Sequence, residues 1–175
     1  LIGSENMEQM ERHSQSSIRQ RLWRIRAKHV ILATGAIERP LVFAGNDIPG
    51  VMLCSAALEF YKLYGVSPGD RVVVLTNNDT AYSSVIELFN AGISVPLVID
   101  VREKSDGNLP LKAKKLGIRV EFSKAISKVI GKKKVKAVEL CSVVGEGAVL
   151  ETIICDSVLM SGGWTSTLNL WSHCG

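Results

Sequence analysis

Apolar and polar side chains alternate along the chain from Leu22 to Lys28, which is the pattern of a strand with one exposed face. The pattern becomes continuously apolar over residues 30–33 and stops at Thr34 and Gly35, as in a strand that is covered on both faces. These residues therefore predict an antiparallel edge piece followed by a buried parallel strand. Residues 1–20 are polar and without sustained periodicity, and we expect a polar loop or a disordered segment there.

Helix and strand patterns alternate after residue 51, each bounded by turn or capping residues. The predicted elements are a helix capped by Ser55 and ended by Gly65, a strand 72–75, a helix capped by Asp79 or Thr80 and ended by Gly92, a strand 94–99, a helix beginning at Pro110 and ended by Gly117, and a strand 119–122. This β-α-β-α-β order is typical of a parallel sheet with right-handed crossovers. Pro96 cannot donate to a strand ladder, so we expect a bulge or an edge at that position.

The pattern changes to strands joined by short glycine-containing turns after residue 122. Residues 125–130, 135–144 and 149–155 predict a three-stranded antiparallel meander, and residues 157–160 predict a last buried strand. The predicted fold class is α/β, a Rossmann-like unit with a meander.

Composition narrows the function classes. The 175 residues are 46% hydrophobic with a net charge of +4, which suits a globular protein and does not indicate a nucleic-acid partner. No apolar run is long enough to span a bilayer, so we expect no membrane partner. The four cysteines stand far apart, form no C-x-x-C pair and have no histidine at metal-ligand spacing, which disfavours a metal site and is typical of thiols in a reducing, cytoplasmic compartment.

The turn after strand 72–75 corresponds to the glycine-rich loop of dinucleotide-binding domains, but it reads T-N-N-D-T-A. Thr76 and Asn78 stand where glycines admit the diphosphate, and Asp79 puts a negative charge at the start of the helix. Ala81 is acceptable at the third position, and Asp100 lies near where an acidic residue binds the ribose. Two interpretations stay open: a site that still holds a dinucleotide, and a relic that keeps the fold alone. The degenerate motif comprises Thr76, Asn77, Asn78, Asp79, Ala81 and Asp100.

Two glycine-bearing segments enclose this unit. Thr34 and Gly35 precede it, and Gly162 and Gly163 follow it, each pair after a predicted buried strand, and such glycines let a backbone pass close to a cofactor. We predict a nested arrangement, with residues 21–50 as a partial outer dinucleotide-binding domain and connection. Residues 51–160 then form an inner NAD-binding-like domain, and residues 161–175 return to the outer domain.

Three strings carry a family resemblance: A-T-G-A-I-E-R-P at residues 33–40, T-N-N-D-T-A-Y at residues 76–82 and C-D-S-V-L-M-S-G-G-W-T at residues 155–165. They closely resemble the alpha subunit of heterotetrameric sarcosine oxidase, a flavoprotein with two dinucleotide-binding domains. The resemblance runs from Arg21 onward. Because the chain begins inside a polar stretch and stops after an apolar one, we expect it to be an internal fragment of such a protein.

The resemblance implies an enzyme that converts sarcosine to glycine, passes a one-carbon unit to tetrahydrofolate and releases hydrogen peroxide. It implies FAD and FMN in the complex, NAD in the outer domain of the alpha subunit, and other subunits of a hetero-oligomer as partners. Thr34 and Gly35 would then lie beside NAD, with Gly162 and Gly163 near the same ligand. We expect no catalytic residue, no metal and no cofactor in the isolated fragment, which we expect to be inactive.

Two other functions remain open from the residues. One is an NAD(P)H-dependent FAD flavoprotein reductase, in which the unit from residue 72 to residue 100 would bind the reducing nucleotide; the missing glycines disfavour it. The other is a non-catalytic scaffold that contacts partner subunits.

Overall fold

The computed structural model describes residues 2–6 and 20–173, with side chains from residue 22. The chain divides into two compact units, one of residues 1–34 with 168–175 and one of residues 35–167. The strands are β1 (Ile2–Asn6), β2 (Gln20–Arg24), β3 (Ala36–Glu38), β4 (Val51–Leu53), β5 (Arg71–Thr76), β6 (Ser94–Asp100), β7 (Val120–Phe122), β8 (Lys124–Gly131), β9 (Val135–Ser142), β10 (Val149–Ile154), β11 (Ser157–Ser161) and β12 (Trp164–Ser166). The helices are α1 (Cys54–Tyr64), α2 (Thr80–Asn90), α3 (Asn108–Lys115) and α4 (Asn169–Ser172).

The larger unit is built on a five-stranded parallel sheet in the order β4-β11-β5-β6-β7. Alternate residues of β5 face opposite sides of this sheet. Val72 and Val74 pack in a cluster with α1, α2 and α3, whereas Val73 and Leu75 pack in a second cluster with β8, β9 and β10. The sheet is therefore covered by helices on one face and by the antiparallel meander, in the order β10-β9-β8, on the other.

The predicted fold class is confirmed. The β-α-β-α-β succession and the three-stranded meander both form close to their predicted bounds, and the strand predicted at residues 157–160 is β11, between β4 and β5. The register between β5 and β6 shifts after Arg71 and Ser94, so Pro96 lies at an irregularity as expected. Gly65 ends α1 with a φ of 65°.

The prediction of a buried strand at residues 30–33 is wrong. Val30 is 54% and Ile31 is 91% exposed, and none of the described strands pairs with this segment. A strand buried on both faces needs hydrogen-bonded neighbours and a cover on each side, and the described residues supply neither. In the smaller unit, β2 pairs with β1 in antiparallel register and ends at Arg24, short of the predicted Lys28.

The first and last segments of the larger unit form a two-stranded ribbon that the sequence patterns did not indicate. β3 pairs with β12 in antiparallel register, with Glu38 opposite Trp164, and the Thr167 amide donates to Gly35 O over 3.0 Å. The start and end of residues 35–167 are thereby hydrogen-bonded to each other. The assignment of residues 21–50 and 161–175 to an outer domain stays a prediction.

The capping prediction at α1 is also wrong, since the helix begins at Cys54 and Ser55 makes no side-chain cap. The buried Glu38 carboxylate takes that role: its Oε2 accepts the Ser55 amide over 2.8 Å and the Ser55 hydroxyl over 2.6 Å. A carboxylate suits the positive end of a helix dipole, so β3 is fixed to the start of α1.

Candidate functional site: the carboxyl ends of the parallel strands

Three neighbouring strands of the parallel sheet end in buried polar side chains. Thr76 ends β5, Ser161 ends β11 and Asp100 ends β6, and each has no exposed surface. Ligands of parallel α/β sheets bind outside the carboxyl ends of the strands, so this edge is the place where a nucleotide would be expected.

The turn after β5 is closed by its own side chains. Thr76 Oγ1 accepts the Asn78 amide over 3.1 Å and donates to Asn78 O over 3.0 Å. Among the described residues other than glycine, only Ser123 has a positive φ, so Asn78 does not use the left-handed conformation that its residue type tolerates. The threonine hydroxyl stabilises the turn that glycine makes in a nucleotide-binding loop.

The Asn78 side chain joins the loop after β5 to the end of β11 and caps α2. Its Nδ2 donates to Ser161 O over 3.2 Å, to Ser161 Oγ over 3.0 Å and to Asn77 Oδ1 over 3.1 Å. Its Oδ1 accepts the Thr80 amide over 3.1 Å and the Thr80 hydroxyl. The prediction that Asp79 or Thr80 caps α2 is therefore wrong: Asp79 precedes the helix without a side-chain cap bond, and Asn78 supplies the cap.

These contacts do not fit a diphosphate at the turn. A diphosphate needs bare backbone and free amides at the helix start, whereas the Asn78 side chain occupies the Thr80 amide. The Asp79 carboxylate adds a negative charge beside the same turn. Ala81, at the third motif position, is 1% exposed and packs in the cluster between α2 and the sheet, as that position requires.

Asp100 is saturated by donors of the chain itself. Its Oδ1 accepts the Arg102 amide over 3.1 Å and Arg102 Nε over 3.0 Å, and its Oδ2 accepts the Tyr82 hydroxyl over 2.8 Å and Arg102 Nη2 over 2.7 Å. A carboxylate offers about four lone-pair sites, and all are used here. That Asp100 binds a ribose stays a prediction. The Tyr82 and Arg102 donors occupy the lone pairs of Asp100 that a ribose hydroxyl would need.

Arg102 also contacts Asp79, the residue that precedes α2. Its Nη2 donates to Asp79 Oδ1 over 2.7 Å, and Ser105 Oγ donates to the same oxygen over 3.0 Å. The hydrogen bond to Asp100 is the main cause that raises the pKa of Arg102. Burial, and next the hydrogen bond to Asp100, raise the pKa of Tyr82, so its hydroxyl remains a donor.

The glycines predicted to lie near a cofactor have distinct positions. A side-chain carbon at Gly162 would lie 2.8 Å from Pro40 O and 2.9 Å from Arg39 O, so this glycine permits a close approach of two backbone segments. Gly163 has a φ of 86°. Thr34 belongs to the smaller unit, whereas Gly35, Gly162 and Gly163 belong to the larger one. A cofactor contact of these four residues stays a prediction.

No sequence pattern indicated that Arg102 bonds to both Asp79 and Asp100. The only signal is its position two residues after Asp100, and that spacing does not show that the guanidinium folds back on the strand end. Nor did any pattern indicate that Trp164 Nε1 donates to Thr80 Oγ1 over 2.9 Å, which holds an indole that is 45% exposed against the start of α2.

Within residues 22–173, no group of three or more histidine, cysteine or acidic side chains is arranged to hold a metal ion. No helix in the part of the chain that the structure describes is long and apolar enough to cross a membrane.

Curated relatives match this chain over parts of their length. No protein-family model matches it. It is 39% identical over 156 residues to the alpha subunit of sarcosine oxidase from Rhizobium meliloti (strain 1021), covering 89% of this chain and 15% of that protein. It is 51% identical over 84 residues to the sarcosine oxidase alpha subunit of Corynebacterium sp. (strain P-1), covering 48% of this chain and 9% of that protein. An opine oxidase subunit of Agrobacterium tumefaciens (strain Ach5) is 36% identical over 74 residues, covering 42% of this chain and 15% of that protein.

Solved structures share the fold. An FAD-dependent pyridine nucleotide-disulphide oxidoreductase from Desulfovibrio vulgaris superposes with a TM-score of 0.63 at 17% identity, over 90% of this chain and 40% of that one. L-Proline dehydrogenase from P. horikoshii superposes with a TM-score of 0.52 at 25% identity, over 85% of this chain and 24% of that one. The family resemblance of the sequence strings is thereby confirmed. This chain belongs to the family of the sarcosine oxidase alpha subunits, and it spans a minor part of their length.

Proposed function

We propose that this chain forms part of the alpha subunit of a multi-subunit, cytoplasmic oxidoreductase that oxidises the N-methyl group of sarcosine. In this reaction sarcosine is converted to glycine, dioxygen is reduced to hydrogen peroxide, and the one-carbon unit passes to tetrahydrofolate. None of the residues of this chain oxidises the substrate. The identity to sarcosine oxidase alpha subunits over most of the chain supports the proposal.

The inner domain of residues 51–160 contributes structure and no nucleotide site. The observation that carries this proposal is the Asn78 side chain, which bonds to Ser161 and to the first amide of α2 where a diphosphate would lie. A ligand would have to break both sets of hydrogen bonds and lie beside the Asp79 carboxylate. The domain keeps its fold because the two apolar clusters, one on each face of the parallel sheet, do not depend on the loop after β5.

The cofactors of the proposed enzyme lie elsewhere. FAD and FMN serve the complex, and NAD is held by an outer domain of the alpha subunit, beside Thr34 and Gly35 and near Gly162 and Gly163. The fold shared with FAD-dependent oxidoreductases supports flavin and nicotinamide cofactors for the whole enzyme. The names of the relatives as subunits support a hetero-oligomer, a heterotetramer in this proposal.

A flavoprotein reductase is the competing function, because the structures with the same fold include reductases. It requires that NADH or NADPH bind at the turn after β5. The self-bonded turn disfavours this, as does the use of all four Asp100 lone pairs by Tyr82 and Arg102. The third candidate function, a non-catalytic scaffold that contacts partner subunits, would require neither nucleotide binding nor oxidase activity.

Calorimetric titration of the whole chain with NADH, NADPH, NAD and FAD separates these functions. We expect no saturable heat for any of them, while a cooperative urea transition shows that the chain is folded. Saturable binding of NADH that Asn78→Trp removes would place the nucleotide at this turn and overturn the proposal for the inner domain.

The oxidase part is tested on the assembled enzyme that contains this chain. Sarcosine-dependent formation of hydrogen peroxide, with transfer of the one-carbon unit to added tetrahydrofolate, is the expected result. An enzyme that oxidises an opine and leaves sarcosine unchanged would show that the activity follows the opine oxidase relatives instead.

A further inference from the structure

We propose that the tip of the β8–β9 hairpin and the end of β10 form a docking surface for an acidic peptide segment of another protein, in which an apolar side chain stands between carboxylates. The surface lies wholly in the larger unit, beside Arg71, which begins β5. It therefore lies at the opposite end of β5 from Thr76 and from the turn that a dinucleotide would use. Docking at this surface does not depend on the proposed function of the enzyme.

Two adjoining hollows, which share Lys134 and Lys136, give this surface its shape. The hollow at the hairpin tip has a volume of about 770 Å³ and is also lined by Lys132 and Lys133. The hollow beside it has a volume of about 330 Å³ and reaches Ile154 at the end of β10. Volumes of this order are typical of binding sites, and two hollows side by side suit an extended chain better than a compact molecule.

The backbone that carries these lysines is held in place. Gly131 permits the closure of the hairpin, because a side-chain carbon there would collide with Lys134 O. The side chain of Val135 is buried, and its amide donates to Pro49 O over 3.1 Å, which ties the hairpin tip to the segment before β4. A partner would therefore meet a pre-formed backbone, which lowers the entropy cost of binding.

The positive charge of the hairpin tip has no counter-charge among the described side chains. The lysines of the larger hollow are exposed, and none of the acidic side chains in the described part of the chain forms an ion pair with them. These lysines are Lys132, Lys133, Lys134 and Lys136. Their ammonium groups are therefore available to the carboxylates of another molecule, with which they form charge-assisted hydrogen bonds.

Arg71 adds a guanidinium that is already oriented. Its Nε donates to Ile154 O over 2.8 Å, and no described acidic side chain pairs with its terminal nitrogens, which can bind a carboxylate. Asp156 lines the same hollow, but its Oδ1 accepts the Arg71 amide over 2.9 Å and its Oδ2 accepts the Asp70 amide over 3.0 Å. This carboxylate is thus engaged by the backbone.

These groups select the class of partner. Ile154 is 72% exposed and the stems of the lysines are aliphatic, so the surface accepts an apolar side chain as well as carboxylates. None of the described residues that line either hollow is aromatic, so the bases of a nucleic acid would find no stacking surface. A compact anion such as phosphate would reach only part of the positive charge. A second copy of this chain, with its net charge of +4, is a poor complement.

Calorimetric titration of the whole chain with a synthetic pentapeptide tests the surface. The peptide is acetylated and amidated and has phenylalanine between two pairs of glutamates. We expect saturable binding at low ionic strength that weakens as salt is added, because the charges are exposed. Glutamine in place of the glutamates should abolish saturable binding, and glycine in place of phenylalanine should weaken it. Equal binding of the peptide with glycine would overturn the apolar contact.

Paired variants separate this surface from general charge effects. Lys133→Gln combined with Lys134→Gln should weaken peptide binding about tenfold, as expected for the loss of two surface ion pairs. The matched control is Lys112→Gln combined with Lys115→Gln, which removes the same charge from exposed positions of α3 and should leave peptide binding unchanged. Equal losses in the two double variants, or no saturable binding of the peptide, would overturn the surface. Tighter binding of tripolyphosphate or of a single-stranded oligonucleotide than of the peptide would overturn the assignment to an acidic peptide. None of these outcomes depends on NADH binding or on sarcosine oxidation.

Discussion

The side-chain amide of Asn78 donates a hydrogen bond to Ser161 Oγ over 3.0 Å and so joins the loop after β5 to the end of β11. In a nucleotide-binding loop the equivalent space belongs to the ligand. Here a side chain of the protein makes hydrogen bonds to the end of β11 and to the start of α2. The site has thereby become part of the internal hydrogen-bond network of the domain.

Replacement of Asn78 by alanine is expected to destabilise the domain. Asn78→Ala leaves the buried Ser161 hydroxyl without this donor and α2 without its cap, which should cost about 1–3 kcal/mol of unfolding free energy. Urea denaturation measures the change. Asn108→Ala, at an exposed asparagine that starts α3, is the matched control and should change little. Equal losses in both variants would contradict the bridging role.

Removal of the Arg102 guanidinium is expected to be more costly. Arg102→Ala leaves the fully buried Asp100 carboxylate without its charge partner, and the loss should reach about 2–4 kcal/mol for a side chain that is 30% exposed in the native state. Arg102→Lys should lie in between, because an ammonium cannot reproduce the fork of donors.

The control for Arg102 is Lys104→Ala, since Lys104 pairs with Asp106 at the surface, where both side chains are largely exposed. Its unfolding free energy should stay within about 0.5 kcal/mol of the parent chain. A similar small effect for Arg102→Ala in urea denaturation would show that the buried carboxylate does not need the guanidinium.

The contact between Glu38 and Ser55 is expected to hold the start of α1. Glu38→Ala should cost about 2 kcal/mol and should speed hydrogen exchange at the Ser55 amide, which loses its acceptor. Glu38→Gln should retain part of the stability, because an amide oxygen still accepts. Glu59→Ala removes an exposed glutamate from α1 and serves as the control. Unchanged exchange at Ser55 in Glu38→Ala would refute the capping role.

Alkaline pH is expected to weaken the fold through Cys155. Burial, and to a smaller extent the charge of Asp156, raise the pKa of the Cys155 thiol from 9.0 to about 12. From pH 9 to about 12 the unfolded chain therefore loses a proton that the folded chain keeps, so stability falls as the pH rises through this window. Below pH 9 this thiol adds no pH dependence.

Urea denaturation of the parent chain and of Cys155→Ala as a function of pH isolates this contribution. The difference in stability between the two should be constant below pH 9 and should shrink above it. Profiles that stay parallel throughout the alkaline range would show that the thiol titrates alike in the folded and unfolded chains.

Local patterns were sufficient for most elements of the larger unit. Strands β5, β8 and β9 form close to their predicted bounds. Their positions depend on residues close together in the chain, namely the apolar run at residues 72–75 and the glycine-containing turns of the meander. Residues 30–33 have an equally strong pattern and form no strand, because a buried strand depends on partners that the described residues do not include.

The candidate site was only partly predictable. The substitutions at Thr76 and Asn78 showed that the glycine loop is altered, and they left open whether a ligand still binds. That the Asn78 amide reaches Ser161, and that Arg102 turns back to Asp79 and Asp100, depends on three strand ends meeting in space.

By itself, the sequence determined the alternation of helices and strands, the meander and the loss of the glycine turn, since each follows from the conformational preferences and burial pattern of residues close together in the chain. Only the tertiary structure decided that the Asn78 side chain, bonded to Ser161, fills the place where a diphosphate would lie. Side chains far apart along the chain are brought within hydrogen-bond distance by strand order and register, and no local pattern encodes that distance.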